Sequence, residues 1–187
     1  LMKKLHYILW PLLLLSSNLF GQDFQYHIYE RYYKHHESMR STPYGDLQIF
    51  LQGPMIEKAI EKNLKSNAMK CKAGINSKYI FSIEPQVFYN PSSTTLHGEF
   101  KVKIFTSRNI PQDSHLIKAQ RQGRINHKAN FYINEIYDKL IIKLTKEILD
   151  KLPKNNGNIN GDFCAIIETN QPNENKKKKD YKRPIQA

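Results

Sequence analysis

Three rhythms of apolar and polar residues succeed one another along this chain. The first is an unbroken apolar run, Tyr7 to Leu15, preceded by Lys3 and Lys4 and ended by Ser16, Ser17 and Asn18. The second has a period of two. Phe24, Tyr26, Ile28 and Glu30 alternate with Gln25, His27 and Tyr29, and Leu47, Ile49 and Leu51 alternate with Gln48 and Phe50. Each set predicts a strand, the first with a short helix as its alternative. Between them, Ser41 to Asp46 (STPYGD) reads as a turn by its proline and glycine.

The third rhythm is helical. After Gly53 and Pro54, the residues Ile56, Ala59, Ile60 and Leu64 share one face, while Glu57, Lys58, Glu61 and Lys65 occupy the other. This predicts an amphipathic helix with Pro54 at its first position. A longer stripe runs through Ile133, Ile136, Tyr137, Leu140, Ile141, Leu144, Ile148 and Leu152, and Pro153 stops it.

Period two returns between the two helices. Tyr79, Phe81 and Ile83 form one set, and Phe100, Val102 and Ile104 another that alternates with Lys101 and Lys103. Ile117, Ala119, Arg121, Gly123 and Ile125 form a third. Pro85 marks a bend or an edge in the first of these strands. The short turns joining the three predict an antiparallel meander. Asp162 to Glu168 (DFCAIIE) predicts a last short strand, and from Gln171 onward apolar residues almost vanish, which predicts disorder.

The expected fold is therefore α+β: an antiparallel sheet of about four to six strands with two amphipathic helices packed on one face. Residues 1–21 read as a signal peptide, 22–169 as a single domain and 170–187 as a disordered basic tail. The apolar run is about nine residues long, which suits a secretory signal and falls short of the roughly twenty a spanning helix needs. Cleavage is expected after Gly21, with a retained signal anchor as the alternative. No cysteine follows the run to carry a lipid anchor. The element order is similar to that of small α+β proteins of bacterial envelopes, among them auxiliary lipoproteins of transport and lipopolysaccharide-assembly systems. That resemblance is one of fold only, and no functional residue is carried over from it.

Charge and cysteines sharpen this picture. The 187 residues carry 29 Lys and Arg against 17 Asp and Glu, a formal net charge of +12, of which +10 remains without Lys3 and Lys4. A surplus of this size favours anionic partners, and export points to anionic lipid, lipopolysaccharide or an envelope protein rather than nucleic acid. Membrane contact is expected to be peripheral if the signal is cleaved. Cys71 and Cys164 are the only cysteines, and in an oxidising compartment an even pair predicts a disulfide. Their separation excludes a CxxC redox or zinc motif.

The candidate binding residues are basic. Lys101 and Lys103 lie on one strand, Lys118, Arg121 and Arg124 on the next, and Lys176, Lys177, Lys178 and Lys179 in the tail. They predict contacts to phosphate or carboxylate groups, although Lys118 and Arg121 fall on opposite faces of their strand. No nucleotide-binding loop, nucleophile elbow or zinc spacing occurs, so no catalytic residue, metal ligand or cofactor is assigned. The expectation is a non-enzymatic, secreted or periplasmic binding or assembly protein of the bacterial cell envelope. The alternative is a small metal-dependent or hydrolytic secreted enzyme using the region of His27, His35 and His36.

Overall fold

The structure, a computed structural model, describes residues 24–40, 45, 47–64, 68–107, 111–125, 128–153 and 157–170. The expected leader and the lysine run 176–179 lie outside these residues. The fold is α+β, built on a five-stranded sheet of order β4-β1-β6-β7-β8. These strands are β1 (Phe24–Ile28), β4 (Ala68–Lys70), β6 (Tyr79–Asn90), β7 (Thr95–Phe105) and β8 (Pro111–Gln122).

The meander β6-β7-β8 is antiparallel, as its turns predict. The sheet as a whole is mixed, because β1 runs parallel to both β4 and β6. The crossover from β1 explains this. It passes through the hairpin β2 (Glu37–Arg40) and β3 (Leu47–Phe50) and then helix α2 (Gln52–Leu64), which returns the chain for a parallel pairing. A one-turn helix α1 (Arg31–Lys34) leads out of β1.

One face of the sheet carries Tyr26, Tyr79, Phe81, Ile83, Phe100, Val102 and Ile104, all buried. Helices α2 and α3 (Ala129–Glu147) pack over it, with Ile133, Ile136, Tyr137, Leu140, Ile141 and Leu144 turned inward as their spacing predicts. Tyr137 stacks on Phe100 at 5.7 Å between ring centroids and donates a 2.7 Å hydrogen bond to the buried Gln52 Oε1. Gly98 sits directly beneath α3, where any Cβ would overlap the Ile136 side chain. The absent side chain is what lets the helix approach. Helix α2 begins at Gln52 rather than Pro54, and the proline is harmless in the first turn because no intrahelical acceptor awaits its missing N–H.

Pro85 does not end its strand. Pairing with β1 stops at Ile28 and Ile83, so the proline lies where β6 no longer has a neighbour on that side.

The chain from Asp162 to Glu168 is the clear departure from expectation. It forms helix α4 (Phe163–Thr169), not a strand. Seven residues are too few for periodicity to separate the two, and a segment rich in Phe and Ile reads as strand by composition. Before α4, β9 (Ile159–Asn160) pairs with β5 (Asn76–Ser77). Gln25 on the second face of the sheet, the one the sequence leaves uncovered, bonds Ile75 O and Ser77 Oγ and so brings β5 against that face. A short 3-10 turn (Leu149–Lys151) follows α3.

Candidate functional site

The second face is divided in two. At the β1 end it is covered by the β5 segment and α4, and at the β8 end it is open. Both halves carry chemistry.

The sealed half explains the composition of β1. A central strand is covered on both sides, so Gln25 and His27 are buried although polar. Gln25 resolves this through its amide. Its Nε2 donates to Ile75 O at 2.7 Å and to Ser77 Oγ at 3.2 Å, and its Oε1 accepts from Lys72 N at 2.9 Å. His27 is met by α4 instead. Its Nε2 lies 2.8 Å from Glu168 Oε2, and Glu168 Oε1 accepts the backbone N–H of Glu30 at 3.0 Å. Burial lowers the His27 pKa, against the opposing pull of the Glu168 carboxylate. A cavity of about 470 Å³ adjoins this pair, lined among others by His27, Glu30, Lys34, Lys70 and Glu168.

Cys71 and Cys164 form a disulfide at the rim of the same cavity, with Cα atoms 6.0 Å apart. The bond joins the end of β4 to the first turn of α4, so it staples the covering helix to the sheet. Across the cavity Tyr33 donates to Glu57 Oε1 at 2.7 Å, and Lys70 Nζ lies 2.7 Å from the same oxygen and 4.2 Å above the Tyr33 ring. Burial raises the Tyr33 pKa, and the Glu57 carboxylate raises it further.

His35 and His36 are exposed at the end of α1 and do not share His27's buried position. Among the described residues, no group of three or more His, Cys, Asp and Glu is arranged to hold a metal ion. His97 and His115 point to opposite faces of the sheet, as their partners in the β7-β8 register require. His97 stacks on Phe88 at 4.8 Å. His127 lies outside the described residues.

The open half holds the predicted basic residues of the sheet. Lys101, Lys103 and Lys118 share this face, while Arg121 turns to the helical side. Each of three is matched by a carboxylate: Lys103 with Glu84 at 3.4 Å, Lys118 with Glu99 at 2.9 Å, and Arg121 with Glu135 at 2.9 Å. Arg121 also lies 3.7 Å over the Tyr132 ring. Arg124 is exposed just beyond β8. The surface is thus a checkerboard of charges rather than a uniform cationic patch. The sequence could not show this, because the matching carboxylates come from other strands and from α3.

Two apolar side chains stand out on the checkerboard, Leu116 at 57% exposure and Phe88 at 41%. A cleft of about 560 Å³ runs alongside, lined by Arg31, Glu37, Glu84, Glu99, Lys101 and Leu116 among others.

The chain matches no protein-family model and no curated protein. Among the described residues, no helix is long and apolar enough to cross a membrane.

Proposed function

We propose that this chain is a secreted or periplasmic, non-enzymatic binding or assembly module of the bacterial cell envelope, and that it contacts an anionic envelope component or a protein partner through the open half of its sheet. The observation that carries this reading is the asymmetry of the second face. One half is closed by a dedicated helix and a disulfide. The other leaves Leu116 and Phe88 exposed among Lys101, Lys103 and Lys118. Exposed apolar residues ringed by polar ones mark interaction surfaces. The disulfide fits an oxidising compartment, and the leader-like run at residues 3–18 fits export. Lys176 to Lys179 would add charge near an anionic surface, at about 1 kcal/mol per residue at low salt.

The test is binding of the purified chain to vesicles of anionic lipid and to lipopolysaccharide across a salt series. Affinity that falls steeply with salt and drops on Lys101→Glu supports the reading. Absence of binding to either, by a correctly folded and oxidised chain, removes the anionic-component arm and leaves the protein partner.

A second reading, a small hydrolytic enzyme, draws on the His27–Glu168 pair, since an imidazole oriented by a carboxylate is the general-base arrangement. His27 alone of the three candidate histidines supports it. Esterase activity abolished by His27→Gln in a chain that stays folded would favour this reading over the first.

A further inference from the structure

Helix α4 rests on an unusual floor. It meets His27, whose register neighbour on the parallel strand β6 is Ser82, and both are buried. Glu168 occupies His27 Nε2, but His27 Nδ1 and Ser82 Oγ have no hydrogen-bond partner among the described residues. Burying polar groups unpaired is costly, so closing α4 over this floor is opposed at its centre. Something must hold it down.

The holding contacts are few. A seven-residue helix has no stability of its own. At its start α4 is tied by the Cys71–Cys164 bond, with the Phe163 ring 5.3 Å from Phe105. At its end it is tied by Glu168, which engages His27 and the Glu30 N–H. Only Ile167 of its residues is fully buried. The preceding segment adds Gly161, whose N–H bonds Ile75 O at 2.9 Å, and Asp162, which accepts from Gly74 N at 3.0 Å.

We propose that α4 is a redox-released latch: reduction of Cys71–Cys164 lets the segment from Phe163 to Thr169 lift and bare His27 and Ser82, while the five-stranded sheet stays folded. Access to the bond exists, because both cysteines are only half-buried and line the open cavity of about 470 Å³. The reductant is a dithiol. Its thiolate attacks one cysteine sulfur, the S–S bond breaks and a mixed disulfide forms. The second thiol then displaces that cysteine. Cys71 and Cys164 each end as thiols with one proton gained, and the dithiol ends as a disulfide. The lifted latch offers an imidazole acceptor beside a hydroxyl donor.

Hydrogen exchange on the full chain tests this, oxidised and after treatment with dithiothreitol, with Cys71→Ser/Cys164→Ser as the permanently open form. The expected result is at least tenfold faster exchange at the Glu30 amide and across residues 163–170 in the reduced and double-serine chains, with Ile83 and Val102 in the sheet remaining far better protected than α4 in every form. Ser82→Ala, which removes one unpaired group, should slow that opening several-fold. Equal protection of α4 in both redox states overturns the proposal. So does sheet protection that falls to the level of α4, which would mean that the two open together by global unfolding, and so does opening that ignores Ser82→Ala.

Discussion

The imidazole of His27 and the carboxylate of Glu168 meet at 2.8 Å, joining the first strand of the described chain to its last helix. The acceptor is charged, and Glu168 also receives a backbone N–H. Hydrogen bonds to charged groups contribute about 1.5–3 kcal/mol. Glu168→Ala should therefore lower unfolding stability by about 2 kcal/mol in urea titrations. An unchanged midpoint would mean that the pair holds nothing in place.

The same pair predicts a pH dependence. Around His27 stand Glu168 on α4, Lys70 on β4, the Tyr29 ring at 5.0 Å, and Glu30 and Lys34 on the cavity wall. Burial outweighs Glu168 and lowers the histidine's pKa below its ordinary 6.5. A base whose folded pKa is depressed contributes stability above its unfolded pKa, and that stability is lost as pH falls through the folded value. Stability should thus be flat above about pH 7 and decline below 6.5. His27→Gln should flatten that decline, measured by denaturation at several pH values. A decline of the same size in the variant would place its origin elsewhere.

Gly98 makes a steric prediction. Gly98→Ala drives a methyl group into Ile136, and overpacking of this kind costs about 1–3 kcal/mol. Combining it with Ile136→Ala, which removes the Cγ2 that the new methyl meets, should cost less than the two single changes added, so the double-mutant cycle should show coupling. Strict additivity would mean that α3 does not bear on β7 at this point.

For the disulfide, chain entropy predicts about 4.6 kcal/mol of stabilisation for a loop of this length, with a sequence separation of 93. Cys71→Ser/Cys164→Ser should lower the denaturation midpoint accordingly, and the native chain should gain two hydrogens in mass on reduction. A native mass that reduction leaves unchanged would contradict the bond.

Much of this fold is written locally. The stripe from Ile133 to Leu144 and the alternation of Phe100, Val102 and Ile104 place α3 and β7 by period alone, because each has one wet and one dry side. The cysteine pair was legible for a different reason, since two cysteines allow only one pairing. The rest depends on distant partners. Gln25 looks solvent-facing until the segment of Ile75 and Ser77 is known to meet it, and His27 until α4 is, and both elements are too short to announce themselves. The cations Lys103, Lys118 and Arg121 look like a patch until Glu84, Glu99 and Glu135 arrive from neighbouring elements.

The proposed binding surface is the open half of the sheet. The most direct measurement compares the affinity of three chains for anionic vesicles and lipopolysaccharide at low salt: the native chain, Lys101→Glu/Leu116→Asp, and Phe131→Asp. Phe131 is 64% exposed on the helical side and serves as the control. With about 1 kcal/mol for each charge near an anionic surface, the double variant should bind about tenfold or more weakly, and Phe131→Asp should bind like the native chain. Equal losses in both variants, or none in the double variant, would contradict the assignment of this surface.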